Sequence, residues 1–256
     1  MTLQMIDGPS GQLATYSSEL TQGPTIVLLH GDIGRASQWD AVATLLETKA
    51  RIISLDSRGH GASDPADDYT YAARAKDLDL IVRHFGLTNY IVVAHSGSVS
   101  TALEFGATAE HLRGIFLVDP ATDPSAMPDE MRDGYLGALQ GPGALDAIQG
   151  YYASIAGTNP ETIALVQRDA AAADEDARFG IAKSLAYWNP RPSLAGYSGP
   201  LEALITPAND NDAALYHLGD GFAVQIIEAT GHWPQLDAPQ TVADAIMGFI
   251  VGLNPK

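Results

Sequence analysis

The sequence contains no cysteine, so disulfides, thiol nucleophiles and thiolate metal sites are excluded. Basic residues are scarce. Lys and Arg number 14 against 31 Asp and Glu, a formal charge of −17. Such a surface repels phosphate backbones and argues against a nucleic-acid partner. No apolar run approaches the roughly 18–20 residues of a membrane span, and no membrane partner is expected. The N-terminal "MTLQMIDGPSGQLATY" also lacks a basic region followed by an apolar stretch, the mark of a secretory leader. The expectation is a cytoplasmic protein, a self-repelling monomer or small homo-oligomer. No two histidines stand at metal-ligand spacing with a carboxylate between them, so no metal is expected; no cofactor is expected either.

What is present is the composition of a packed protein, with 46% hydrophobic and 18% charged residues in 256. That length suits one large α/β domain. Acidic clusters such as 64–68 and 174–176 read as solvated faces. The stretches Thr25–His30, Arg51–Asp56, Tyr90–His95 and Gly114–Asp119 are short, nearly continuous apolar runs. Strands buried on both faces of a parallel sheet need such runs. Between them, "QWDAVATLLETKA" and "AARAKDLDLIVRHFG" repeat apolar residues at helical spacing, which predicts a doubly covered parallel sheet.

From Ala121 to Ser198 no strand is predicted, only Gly- and Pro-punctuated stretches with helical patches. Strands resume at Leu201–Thr206 and Ala223–Glu228, and "APQTVADAIMGFIVGL" closes the chain as a helix. The organisation expected is a core of residues 1–120 and 199–256 with a small helical cap, 121–198, over the sheet's C-terminal edge. Ligands of open α/β sheets bind at that edge.

The segment "IVVAHSGSVST" runs a strand into a His-Ser-Gly-Ser turn and then a small-residue helix. This is the strand–turn–helix context of a nucleophile elbow, where a strained turn needs small residues two positions either side of the serine. Ala94 and Ser98 meet that need, so the usual G-x-S-x-G becomes A-x-S-x-S.

"LLHGDIG" ends an earlier strand, "LDSRGHGASD" follows the next, and "EATGHWPQLDAP" places a Gly-His before the last helix. With the elbow, in this order, they closely resemble the α/β-hydrolase family over residues 20–120 and 199–253. The resemblance implies an α/β-hydrolase fold: a mostly parallel central sheet flanked by helices, with a small helical cap. It makes Ser96 the nucleophile and His232 the general base. The oxyanion would meet the backbone N–H groups of Asp32 and Gly97. Asp32 departs from the small or aromatic residue usual there, and its carboxylate has to point away from the oxyanion. His95 is read as a packing or loop contact, His30 and His60 as structural, and His84, His111 and His217 as surface residues.

Two places can hold the acid that orients the histidine. Counting along "LEALITPANDNDAA", the usual position falls on Asn209, which carries no charge, so that loop would have to offer Asp210. The other place is Asp119, at the end of "GIFLVD". Both stay open, with Asp119 slightly ahead.

Serine rather than aspartate at the elbow disfavours epoxide hydrolysis and dehalogenation. The plainest reading is a serine-type hydrolase cleaving an ester, lactone or related acyl bond through an acyl-enzyme, with Trp188, Tyr187, Tyr151, Tyr152 and Met127 binding an apolar or aromatic small molecule. A second reading follows a narrower likeness. "RIISLDSRGHGASD", "PLEALITPAN" and "GHWPQLDAP" look like segments of cofactor-free dioxygenases that open N-heteroaromatic (3-hydroxy-4-quinolone-like) rings, with His232 as base. A third is a non-catalytic ligand-binding protein on the same fold.

Overall fold

The computed structural model describes residues 1–20, 23–219 and 222–253. Its centre is an eight-stranded sheet. In chain order the strands are β1 (Thr2–Gly8), β2 (Gly11–Ser17), β3 (Thr25–Leu29), β4 (Arg51–Leu55), β5 (Tyr90–His95), β6 (Leu112–Val118), β7 (Leu201–Ile205) and β8 (Ala223–Ile226). They lie side by side as β1-β2-β4-β3-β5-β6-β7-β8. From β4 to β8 all pairings are parallel, and the β1–β2 hairpin joins β4 antiparallel.

The apolar runs predicted as strands are strands, each ending within two residues of expectation. The β1–β2 hairpin was not predicted. Of β1 only Ile6 is buried, so this edge strand carries too little apolar sequence to stand out as a core run.

Successive side chains of a strand point to opposite faces, and the central strands use both. Val27 and Leu29 face a layer that contains Leu78 and Ile81 of helix α2 (Tyr71–His84) and Val99 and Leu103 of helix α3 (Ser98–Gly106). Ile26 and Leu28 face the other layer, built from Val42 and Leu46 of helix α1 (Asp40–Leu46) and from Val242 and Ile246 of the last helix (Pro239–Gly252). Between β6 and β7 run helices α4 (Asp129–Ala138), α5 (Ala144–Ile155), α6 (Pro160–Ala172), α7 (Glu175–Ala186) and α8 (Pro190–Gly196). Asp174 separates α6 from α7: its carboxylate accepts the Ala177 N–H at 3.0 Å and caps α7. Helix α8 lies on α3, where Ser193 donates to Glu104 at 2.8 Å. No described helix is long and apolar enough to cross a membrane.

Three histidines are buried beneath the sheet's C-terminal edge. His30 Nε2 accepts the Ser57 N–H at 2.9 Å, so Nδ1 carries the proton and donates to the Gly31 carbonyl at 2.8 Å. His60 Nδ1 donates to Arg58 O at 2.8 Å, and His95 Nε2 donates to His232 O at 2.7 Å. Burial holds all three rings neutral. It pushes His95 down to about 3, His60 down to about 4, and His30 well below its ordinary value. In the unfolded chain the same groups titrate near 6.5. Below that pH the unfolded state binds protons that the folded state refuses, so stability falls on acidification. The slope is about 1.4 kcal/mol per pH unit for each histidine, or roughly 4 kcal/mol per unit for three. Urea unfolding at pH 7, 6 and 5 should show this loss setting in below pH 6.5, and constant stability over that range would mean the rings are not held neutral.

Candidate active site

The parallel register brings the ends of the inner strands level. Leu29 pairs with Ala94, His95 with Val118, and Val118 with Leu204. Residues one or two further along, Gly31, Ser96, Asp119 and Thr206, therefore cluster at one edge.

Ser96 sits between β5 and α3 with φ +52°, a left-handed conformation that side chains rarely adopt. Its N–H donates to Val118 O at 3.1 Å, and its carbonyl accepts from Val99 N and Ala121 N, both at 3.2 Å. The turn leaves the hydroxyl facing out of the sheet edge. Five non-glycine residues have positive φ among those described, namely Ile33, Ser96, His111, Asp119 and Ala229. All but His111 line the same cavity, so the backbone strain is concentrated at this site.

Ser96 Oγ lies 2.8 Å from His232 Nε2, and His232 Nδ1 lies 2.6 Å from Asp119 Oδ2. Asp119 is only 1% exposed. Its Oδ1 accepts from the Thr206 N–H at 2.7 Å and from the Thr206 hydroxyl at 2.9 Å. Burial alone would raise this carboxyl. The hydrogen bond and charge of His232, with both Thr206 donors, outweigh burial and hold it below the usual carboxylate range. An ionised Asp119 fixes the proton of His232 on Nδ1 and leaves Nε2 as an acceptor facing the serine.

The histidine loop is pinned on both sides. His232 N–H donates to Ile155 O at 2.9 Å, and its carbonyl accepts from His95. Asp237 accepts from Asn159 Nδ2 at 3.0 Å, Thr162 Oγ1 at 2.6 Å and Gly231 N at 3.2 Å. At Gly231 the α5–α6 turn comes so close that an added Cβ would sit 2.2 Å from the Ala156 carbonyl carbon.

Asp210 is not part of this arrangement. It is exposed, and its carboxylate accepts the Tyr216 hydroxyl at the surface. Of the two acid positions left open by the sequence, the structure brings Asp119 to His232, because the β6–β7 register sets it beside Thr206. Asn209 instead donates to Pro120 O at 3.2 Å.

Asp32 and Gly97 flank the serine. An added Cβ on Gly97 would lie 1.8 Å from Asp32 Oδ2, so only glycine fits there. The Asp32 carboxylate takes the Tyr71 hydroxyl at 2.8 Å and Arg74 Nη1 at 2.6 Å. Its carbonyl accepts the Tyr152 hydroxyl at 2.6 Å. Burial, with Asp32 close by, pushes the Tyr152 phenol well above its ordinary value, so it remains a donor.

Above Ser96 opens a cavity of about 1,070 Å³. Ile33, Ile148, Ile181 and Ala182 form its buried end, and Met131 and Tyr151, 61% and 59% exposed, its mouth. Three of the five residues expected to bind substrate, Tyr151, Tyr152 and Met127, line it. The other two are corrected. Trp188 turns inward after α7 and packs edge-on against Tyr71 in the core, with ring centroids 6.2 Å apart. Tyr187 faces solvent with the Arg132 guanidinium over its ring.

Sequence reasoning missed Tyr71, Arg74, Thr206 and Asp237, whereas His95, expected as a packing or loop contact, is buried and bonds the histidine loop at the His232 carbonyl. Arg74 and Tyr71 carried one signal, polar atoms on the core-facing side of α2, but it is readable only once that helix is oriented. Among the described residues no group of His, Asp and Glu is placed to hold a metal ion.

Several known proteins are similar to this chain. The sn-1-specific diacylglycerol lipase ABHD11 of Xenopus tropicalis is 29% identical over 120 residues, covering 46% of this chain and 38% of the relative. The chain thus spans well under half of that relative's length. A thermophilic esterase from Thermogutta terrifontis superposes with a TM-score of 0.84 at 21% identity over 100% of both chains. The enol-lactonase of Burkholderia xenovorans LB400 superposes with a TM-score of 0.85 at 14% identity over 97% of this chain and 100% of that one. At such identities the superpositions show the fold. The model of the alpha/beta hydrolase family matches residues 26–245, a span that takes in the elbow, the Asp119 turn and the histidine loop, and the chain belongs to that family.

Proposed function

We propose that this protein is a serine-type hydrolase that cleaves a carboxylic ester, lactone or related acyl bond through an acyl-enzyme on Ser96. The observation that carries the reading is the continuous contact from Ser96 Oγ through His232 to Asp119, at 2.8 and 2.6 Å. A serine hydroxyl is a weak nucleophile until a neighbouring base takes its proton. In this scheme Ser96 Oγ attacks the substrate carbonyl carbon while His232 Nε2 accepts the hydroxyl proton, and Asp119 stabilises the imidazolium. The charge on the former carbonyl oxygen meets the N–H groups of Asp32 and Gly97 at the start of α3. Collapse breaks the acyl–oxygen bond, and the leaving alcohol takes the proton from His232. Water then repeats the sequence and releases the acid. The scheme draws on no cofactor.

The same reading makes residues 121–198 a cap, with α4, α5 and α7 walling the cavity, and gives the substrate its character. The cavity wall is mainly apolar and holds no Lys or Arg among its described residues. An anionic substrate would find no partner there, so the acyl compound is neutral with an extended apolar part. At about 1,070 Å³ the cavity lies just above the roughly 300–1,000 Å³ usual for small-molecule sites. The His232–Asp119 pair would also suit the base of a cofactor-free dioxygenase, but the serine hydroxyl in contact with Nε2 favours acyl transfer.

A fluorophosphonate should add its phosphonyl group to Ser96, seen in intact mass and peptide mapping, and not to Ser96→Ala. His232→Ala and Asp119→Asn should each lower ester turnover by about 10³-fold or more, whereas Asp210→Asn should change it less than about twofold. Equal, mild losses in the two Asp variants would remove Asp119 from the role. Oxygen uptake with a 3-hydroxy-4-quinolone that survives Ser96→Ala but not His232→Ala would replace this reading with the dioxygenase. No adduct, no ester turnover and no oxygen uptake would leave a ligand-binding protein.

The size of the cavity can be read from a series of 4-nitrophenyl esters. Each buried methylene is worth about 0.8 kcal/mol, close to fourfold, so kcat/KM should rise about two- to fourfold per methylene from acetate to octanoate. A series that is flat or falls from acetate onward would mean that the acyl chain does not enter the apolar cavity.

A further inference from the structure

The sequence departs from the family pattern at two positions of this site. Asp32 stands where a small or aromatic residue is usual, and Ser98 where the elbow's second glycine is usual. The two departures share a partner. Arg74 Nη1 donates to Asp32 Oδ1 at 2.6 Å, and Arg74 Nη2 donates to Ser98 Oγ at 2.8 Å. Nη2 also reaches Ser57 Oγ at 3.2 Å. The Ser98 hydroxyl in turn donates to His30 O.

The need for such a partner follows from where the Asp32 carboxylate lies. It is packed against Gly97, so a formal negative charge sits beside the two N–H groups assigned to the oxyanion. Like charges at this range oppose each other strongly when water is excluded. Water is excluded here: the Arg74 and Asp32 side chains are only 3% and 10% exposed. Arg74 supplies the opposite charge, and the Tyr71 hydroxyl satisfies the second oxygen at 2.8 Å. Tyr71 and Arg74 lie one turn apart on α2, with the guanidinium 5.6 Å from the tyrosine ring centre. Arg74 Nε is buried without a hydrogen-bond partner, so the guanidinium is placed to serve Asp32 and Ser98 at the expense of its own bonding.

We propose that Arg74 is a positioning residue for acyl transfer: it cancels and holds the Asp32 carboxylate so that negative charge can develop beside Gly97. The proposal rests on the serine-hydrolase reading. A merely structural ion pair would affect folding, whereas this role affects the anionic state of the reaction more than the binding of a neutral substrate.

Four proteins decide it: the wild type, Arg74→Met, Arg74→Lys and the double variant Asp32→Asn/Arg74→Met. Each is assayed for kcat and KM on 4-nitrophenyl butyrate and for inhibition by phenylboronic acid, whose tetrahedral adduct on serine is anionic. Arg74→Met should lose about 100-fold in kcat, the scale of a lost oxyanion donor, with KM nearly unchanged and boronate inhibition weakened by a similar factor. The double variant, with no carboxylate to cancel, should recover at least about tenfold of that loss. Arg74→Lys keeps the charge but loses the fork that spans Asp32 and Ser98, so its kcat should fall between those of wild type and Arg74→Met. A folded Arg74→Met with wild-type kcat, or a folded double variant no better than the single one, overturns the proposal while the hydrolase reading stands. If Arg74→Met does not fold, a folded double variant or Arg74→Lys more than about 100-fold down in kcat overturns it equally. A wild type that turns over no ester and takes no fluorophosphonate removes the reading and the proposal together.

Discussion

The hydrogen-bonded register of β3, β5, β6 and β7 is the constraint on which the site depends. Parallel strands can align their ends only if every ladder between them is in phase, and here Leu29, Ala94 and Leu117 lie abreast across three strands. The turns that follow must therefore share a narrow strip of edge. Gly31 shows how narrow it is: a Cβ there would lie 2.5 Å from His95 Nδ1 and 3.1 Å from Ser96 Cβ. The left-handed turns at Ser96 and Asp119 are a consequence of this crowding. Each strand has to leave the sheet sharply, and the leaving residue carries its side chain into the open.

A strand edge alone would not hold His232, which comes six residues after β8. Its loop is fixed from two directions, by His95 beneath and by the α5–α6 turn above. The burial that keeps His95 neutral also makes it dependable, since a ring that stays uncharged keeps its Nε2–H on the His232 carbonyl. The sheet positions Ser96 and Asp119, and the packing of helices against the last loop positions His232.

Most of the fold was legible because doubly buried strands must be apolar along their whole length, which is how Thr25–Leu29 and Tyr90–His95 announce themselves. The β1–β2 hairpin was not, because an edge strand with one buried residue obeys no such rule. Ser96 and His232 could be placed from short motifs, since a strained turn restricts its neighbours. The carboxylate that meets His232 could not: Asp119 and Asp210 both follow strands, and only the pairing of β6 with β7 separates them. Trp188 and Tyr187 were misplaced for a related reason. Adjacent aromatics at a helix end point to different sides, and nothing local says which side holds the cavity. The partners of Asp32 were out of reach because Tyr71 and Arg74 lie some 40 residues away on α2, and helical periodicity says which residues share a face but not what that face meets.

Helix α5 touches both the Asp32 turn and the histidine loop. Its Tyr152 hydroxyl holds the Asp32 carbonyl, and its Ile155 carbonyl holds the His232 N–H, while Ile148 and Tyr152 line the cavity. The cavity wall and the bonds that hold the loops around Ser96 thus share the same two turns of helix. A lineage that changed its substrate by exchanging this helix would disturb the backbone on either side of the serine at the same step. Small side-chain changes facing the cavity would leave those two bonds intact.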